Sequence, residues 1–317
     1  MRSAGDSEGG SYEYLFGPVP SRRLGRSLGI DLVPSKTCCF NCLFCQLGGS
    51  TELTLERREY VPIGRVISEL KCWLKAGHEA DFMTLSGSGE PTLHSRFGEV
   101  MDWLREHSEM PVALLTGGAL LYMPEVRSAA RNAHLVKASL SAWDQASFET
   151  INRPCPGLTF EQLVAGERAF RKEYTGEYWI EVFVVKGLNS AVGQMSRVAE
   201  LVKELEPDKI HMNTVIRPAG DKSVGAVSAE ELHRLGELFS PLAEVSEVSA
   251  SEGSGSAATD EDAVLAVLRR HPATTEQVCG SLKASIDSMQ KCVDALEAAG
   301  RIRREQSGKD VYYVFLG

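Results

Sequence analysis

Gly29-Ile-Asp-Leu-Val-Pro-Ser-Lys-Thr-Cys-Cys-Phe-Asn-Cys-Leu-Phe-Cys-Gln-Leu-Gly48 decides how the rest of the chain is read. Residues 29–33 predict a short apolar strand, and a cysteine loop follows it directly. Cys38, Cys42 and Cys45 are three thiols in one turn of chain, enough to hold three irons of one iron–sulfur cluster. Such clusters are usually held by four thiolates, so one iron would be left open. Cys39 creates a second frame: the loop reads Cys-x3-Cys-x2-Cys from Cys38, or Cys-x2-Cys-x2-Cys from Cys39. A zinc loop would need a fourth ligand nearby, and neither Cys nor His occurs between Cys45 and Cys72. A disulfide framework is the remaining alternative, which a chain this long does not need.

Outward from this stretch, short apolar runs alternate with longer amphipathic ones as far as residue 239. Strands are predicted at 29–33, 81–85, 112–116, 135–141, 179–185 and 209–214. Helices are predicted at 63–76, 96–107, 124–132, 160–174, 192–205 and 229–239. This alternation implies a parallel sheet with crossover helices. Side chains on a strand alternate faces, and the two faces differ. One carries Asp31, Thr84, Ser86, Lys137, Ser139, Ser141, Glu181, His211 and Asn213; the other carries Ile30, Leu32, Met83, Leu85, Val136, Leu140, Ile180, Val182, Ile210 and Met212. A flat doubly wound sheet buries both faces under helices and would be apolar on each. One polar face calls instead for a lumen. The expected architecture is α/β, a partial (β/α)6 TIM-like barrel, with its site at the C-terminal strand ends.

The barrel is expected to span 28–240. Residues 1–27 form an extension with a basic Gly/Pro loop that includes Arg22, Arg23 and nearby Arg26, able to grip a phosphate or carboxylate or simply to be solvated. Residues 241–259 have Ser/Gly-rich linker composition. Residues 260–317 predict three helices and a hairpin, which resemble a winged helix-turn-helix, a small α+β domain. Its third helix has Lys291 against Asp287, Asp294 and Glu297, poor for a phosphate backbone. The hairpin carries Arg301, Arg303, Arg304 and Lys309, so docking of nucleic acid or of protein stays open. Cys72 reads as a buried thiol and Cys155 as a loop thiol.

The net charge of −9 argues against a general nucleic-acid coat. No run is long and apolar enough for a membrane span, residues 1–11 lack a signal-peptide core, and the scattered cysteines suggest reduced cytoplasm.

Ser86-Gly-Ser-Gly-Glu-Pro-Thr-Leu93 ends the second predicted strand, where glycines permit close backbone approach to a ligand. With the Cys38/Cys42/Cys45 loop, this motif resembles those of the radical S-adenosylmethionine (SAM) enzymes. The resemblance implies one 4Fe-4S cluster whose open iron is chelated by SAM. Reductive cleavage would give a 5′-deoxyadenosyl radical for hydrogen abstraction, with an electron donor such as flavodoxin or ferredoxin. It places Phe44 near the adenine, and Ser88, Gly89 and Glu90 at the SAM amino group. Thr116, Lys137 and Ser139 would be further SAM contacts, Ser139 at the ribose and Lys137 at a carboxylate; a Lys137–Glu181 salt bridge is the alternative for Lys137. For His211 a structural hydrogen bond is expected rather than catalysis. Residues 16–218 are similar to the wyosine-type, tRNA-modifying branch, through Gly17-Pro-Val-Pro-Ser-Arg-Arg23, Gly89-Glu-Pro-Thr92 and Asn213-Thr-Val215. They depart from it in having no cysteine before Cys38 and Gln46 after Cys45. These departures imply a single cluster and a product other than wyosine; the substrate, whether small molecule, RNA or protein, stays open. The rival reading is a redox-sensing regulator with a cluster and a nucleic-acid-binding winged helix.

Overall fold

The apolar half of each strand pattern decides where the helices pack. Ile30, Leu32, Met83, Leu85, Val136, Ile180, Val182, Ile210 and Met212 are all fully buried. They form one continuous core beneath the helices. The computed structural model describes residues 12–21, 23–219, 221, 223–245, 261–282 and 284–316.

In chain order the strands are β1 (Leu15–Ser21), β2 (Gly25–Ile30), β3 (Thr37–Cys38), β4 (Glu52–Leu53), β5 (Phe82–Leu85), β6 (Val112–Leu115), β7 (Leu135–Ser139), β8 (Glu177–Val184), β9 (Lys209–Thr214), β10 (Glu244–Val245), β11 (Ile302–Ser307) and β12 (Asp310–Phe315). The helices are α1 (Ile63–Lys75), α2 (Phe97–His107), α3 (Pro124–Ala130), α4 (Gln145–Ile151), α5 (Phe160–Glu173), α6 (Val192–Glu204), α7 (Ala229–Gly236), α8 (Glu261–Leu268), α9 (Thr275–Leu282) and α10 (Ile286–Ala298). The main sheet runs β1-β2-β5-β6-β7-β8-β9-β10. All its pairings are parallel except that of β1 with β2. This is a parallel α/β sheet with β1 and β10 at its edges. None of the described helices is long and apolar enough to cross a membrane.

Several features differ from the sequence reading, among them the first barrel strand, which runs from Gly25 to Ile30 rather than over 29–33. The basic Gly/Pro stretch placed in an extension is a strand, β1, hairpinned to β2. Its punctuation is a bulge between Phe16 and Val19 with Gly17 at φ +94°, a conformation that glycine adopts without strain. Gly29 leaves room for the Phe16 ring, which would lie 1.9 Å from a Cβ there. Arg22 lies outside the described residues. Helix α4 was not expected; Asp144 caps it by accepting from the Ser147 backbone N–H at 2.9 Å. Strand β10 falls in the stretch read as linker, most of which lies outside the described residues. Cys72 is exposed on α1 rather than buried.

The lumen also has an apolar floor. Leu24, from the β1–β2 turn, packs with Ala113, Leu135 and Trp179, and with Phe82 and Leu115 at the margin.

Helices α8, α9 and α10 and the β11–β12 hairpin share a separate core that includes Val264, Leu268, Val278, Met289, Val293 and Tyr313. Cys279 and Cys292 are buried within it, as small hydrophobes. Ala273 forms an antiparallel bridge to Tyr313 beside the hairpin. This C-terminal unit packs α9 against β1. The Ser307 hydroxyl donates to the Ile216 carbonyl at 2.8 Å.

Candidate functional site

The cysteine loop leaves the C-terminal end of β2 and is pinned on both sides. Asn41 N–H donates to the Asn152 carbonyl and Leu43 N–H to the Ile151 carbonyl, both at 3.0 Å. Cys155 N–H donates to the Cys39 carbonyl at 2.9 Å. The loop sorts its thiols. Cys39 is fully buried in the main core, whereas Cys38, Cys42 and Cys45 are partly accessible. Burial pushes all three thiols up, Cys42 to about 12. Glu90 and the neighbouring sulfurs add to the shift at Cys38. Asn152 Nδ2 donates to Cys42 Sγ at 3.5 Å. Among the described residues no three His, Cys, Asp or Glu side chains converge closely enough to hold a single metal ion.

The Ser88-Gly89-Glu90 turn lies against this loop. A Cβ on Gly89 would sit 1.9 Å from the Thr37 carbonyl oxygen, so only glycine fits where Glu90 N–H donates to that same oxygen at 3.0 Å. The Glu90 carboxylate is buried and well supplied with donors. Oε1 accepts from Thr92 N–H at 3.1 Å, Thr92 Oγ1 at 2.5 Å and Thr116 Oγ1 at 2.7 Å; Oε2 accepts from Gly117 N–H at 2.8 Å. Glu90 and Thr116 are thus brought together, Thr116 acting through Glu90. Ser88 turns the other way and donates through both N–H and hydroxyl to Asp31.

Deeper in the lumen, Glu181 collects two cations. Its Oε1 accepts from Lys137 Nζ at 2.8 Å, Arg23 at 3.1 Å and Asn213 Nδ2 at 2.7 Å. Burial pushes this carboxyl up, but Lys137 and Arg23 outweigh it and hold it down at about 2. His211 beside them is pushed to about 3, by burial first and then by Arg23 and Lys137. Its Nε2 lies 3.3 Å from Glu244, and its ring meets Trp179 edge-on at 4.8 Å. Of the three arginines near the β1–β2 turn, Arg23 reaches the lumen, whereas Arg26 pairs with Asp81 at an exposed rim.

Arg23, Lys137, Trp179, Glu181 and Asn213 border a cavity of about 540 Å³ that is also lined by residues of the C-terminal unit. Phe44, Cys45 and Lys137 line it; Phe44 stacks on Phe183 at 4.1 Å. Ser88, Gly89, Glu90, Thr116 and Ser139 are not in its wall. Ser139 ends β7, partly exposed. Lys137 takes the ion-pair arrangement with Glu181. The sequence reading missed Arg270, which pairs with Asp31 at 3.3 Å, and Trp179, which closes the floor. No local pattern marks Arg270; only the fold brings it to β2.

No protein-family model matches the chain. In solved structures the fold recurs in a radical SAM methyltransferase from Sphaerobacter thermophilus, at TM-score 0.52 and 18% identity, covering 69% of this chain and 65% of that one. It recurs too in SuiB from Streptococcus suis bound to S-adenosylmethionine, at TM-score 0.50 and 16% identity, covering 66% and 46%. The fold of the parallel sheet is thus shared with these two proteins. Among curated proteins, one named GTPase Obg from Brachyspira hyodysenteriae is 33% identical over 92% of this chain, which spans only 43% of that longer protein. A UPF0026 protein of Methanocaldococcus jannaschii is 30% identical over 94% of both chains, and one of Synechocystis is 34% identical over 66% of this chain and 77% of its own length. The chain belongs to the UPF0026 family.

Proposed function

We propose that the chain is a radical SAM enzyme with one 4Fe-4S cluster held by Cys38, Cys42 and Cys45. The observation that carries this reading is the sorting of the loop: three partly accessible thiols at the end of β2, a fourth, Cys39, withdrawn into the core, and the Glu90 turn against them. Three soft thiol donors without a fourth protein ligand fit a cluster with one open iron. A cluster held by Cys38, Cys42 and Cys45 would, with SAM bound, supply the one-electron chemistry for hydrogen abstraction from a substrate. A flavodoxin- or ferredoxin-class protein would supply the electron.

The chain's own part is positioning and exclusion of water. Gly89 brings the turn against Thr37, and Glu90, fixed by Thr92, Thr116 and Gly117, presents a negative edge for an ammonium group. Asn152 steadies Cys42. Phe44, stacked on Phe183, offers a flat apolar face for a purine. The apolar floor closes the lumen below, and Ser139 at the end of β7 would be the contact for a ribose hydroxyl. The wyosine-type likeness supplies a mechanism rather than a product.

We read the C-terminal unit as a winged helix that serves the barrel rather than nucleic acid. Two of its hairpin arginines are paired internally: Arg304 with Glu297 at 2.7 Å and with Asp294, and Arg303 with Glu305 at 2.9 Å. This counts against the regulator reading.

The ligand set is tested by iron and sulfide content after anaerobic reconstitution. Cys38→Ala, Cys42→Ala and Cys45→Ala should each lose the cluster, while Cys39→Ala keeps it. A cluster retained in Cys38→Ala and lost in Cys39→Ala would give the loop the other frame.

A further inference from the structure

Helix α4 is the platform on which the cysteine loop rests. Phe148 in its middle is fully buried and meets the Phe40 ring of the loop edge-on, with centroids 5.5 Å apart. At its end the helix turns its last carbonyls toward the loop. Ile151 accepts from Leu43 N–H, and Asn152 and Arg153 both accept from Asn41 N–H, each at 3.0 Å. Arg153, at φ +47°, turns the chain away after this contact.

The residue that holds the loop backbone also reaches a sulfur. Asn152 Nδ2 donates to Cys42 Sγ at 3.5 Å. Asn152 is 5% exposed, so water competes little for that bond, and a low local dielectric strengthens it. Its main chain is fixed at both ends: its N–H donates to the Phe148 carbonyl at 2.9 Å, and its carbonyl holds Asn41. Against a thiolate the amide presents its nitrogen, because its oxygen would be repelled.

The three thiols are supplied with donors differently. Main-chain N–H groups face Cys38 from Phe40, and Cys45 from Leu47 and Gly48. Cys42 faces its own N–H and, alone of the three among the described residues, a side-chain donor. A main-chain donor is the same whatever residue carries it, whereas a side-chain donor is set by the identity of residue 152.

We propose that Asn152 tunes the iron–sulfur cluster: its Nδ2–H bond to the Cys42 sulfur makes the cluster easier to reduce. This rests on the radical SAM reading and adds to it a positioning residue that acts through Cys42. Hydrogen bonds to the sulfurs are among the factors that set the potential of such clusters. Reduction adds one negative charge, which spreads onto the sulfurs. A donor aimed at one of them stabilises the reduced form more than the oxidised one.

The test is the midpoint potential of the reconstituted cluster without SAM, read by electron paramagnetic resonance in a mediated titration. Asn152→Leu keeps the volume and removes the donor. Asn152→Asp keeps the shape and sets a charged acceptor against the sulfur. Asn152→Leu should lower the reduced-to-oxidised ratio at a given potential by about tenfold, or ~59 mV for a one-electron couple. Asn152→Asp should lower it further. Asn41→Ala is the control for loop support, since Asn41 Oδ1 accepts from Ser50 N–H at 3.0 Å; it should keep the parent potential. The inference is overturned if Asn152→Leu carries a full cluster at the parent potential, or if Asn41→Ala shifts the potential as far as Asn152→Leu. It is overturned too if both Asn152 variants lose the cluster while the parent holds it, which would make Asn152 a structural support. No cluster in the parent itself would sink the radical SAM reading, and the inference with it.

Discussion

Arg270 Nε lies 3.3 Å from Asp31 Oδ2, with the two side chains 10% and 8% exposed. Arg270 also donates to the Ala266 carbonyl at 2.8 Å and covers the Phe16 ring at 4.5 Å. Because Asp31 holds Ser88, this pair ties the C-terminal unit to the turn that contains Glu90. Removing one partner of a buried pair leaves the other charge uncompensated, at a cost of about 3 kcal/mol. Burial already raises the Asp31 carboxyl despite Arg270 and Ser88. Arg270→Gln should therefore lower stability in urea by roughly that amount and weaken SAM binding. Asp31→Asn combined with Arg270→Gln should cost less than the two single losses summed, a coupling read from a double-mutant cycle.

Gly89→Ala and Gly64→Ala form a matched pair. At Gly89 the new Cβ meets the Thr37 carbonyl oxygen at 1.9 Å, whereas at Gly64 nothing lies within 4 Å. The first should destabilise by about 1–3 kcal/mol through forced backbone shifts and lose cluster and SAM binding. The second, in the first turn of α1, should be neutral or stabilise by up to about 1 kcal/mol. Denaturant midpoints check both.

Glu167 on α5 is fully buried, and neither carboxyl oxygen has a hydrogen-bond partner. Burial raises it well above the usual carboxylate range, so the folded protein holds it neutral. A raised carboxyl contributes no penalty below the unfolded value near 4.5 and costs stability as pH rises toward the folded value. Glu167→Gln removes that cost. The variant should be more stable than the parent at pH 8, and the difference should shrink toward pH 4.

His211 works in the opposite direction. Its folded value of about 3 lies below the ordinary 6.5, so the unfolded chain takes up a proton first as pH falls. Stability is lost from about pH 6.5 downward, with a slope of about 1.4 kcal/mol per pH unit from this one group. It faces Glu181, Arg23, Lys137 and Lys209, and Glu244 at Nε2. Glu181 adds its own loss only as pH falls from its ordinary 4.5 toward about 2. His211→Gln should flatten the stability profile between pH 6 and 5, a window in which Glu181 stays ionised.

The lumen was legible in the sequence because period-two alternation repeats in strand after strand, so Lys137, Glu181 and Asn213 fell on one face. The bounds of β9 were legible too. The strand β1 was not, since Gly17, Pro18 and Pro20 erase the local strand signal that the β2 pairing restores. The helix α4 is short, and its cap is stronger than its apolar pattern. Arg270 meets Asp31 across 239 positions of sequence, and no periodicity encodes a contact of that range. Glu90 and Thr116 were both picked out, but their mutual hydrogen bond was not, because it depends on how far β5 and β6 extend side by side.

Anaerobic reconstitution with iron and sulfide, followed by SAM and dithionite, tests the central claim most directly. The product to measure is 5′-deoxyadenosine. The account predicts its formation in the parent protein and in Cys39→Ala, and its absence in Cys42→Ala. An intact cluster that yields no 5′-deoxyadenosine from SAM would contradict it.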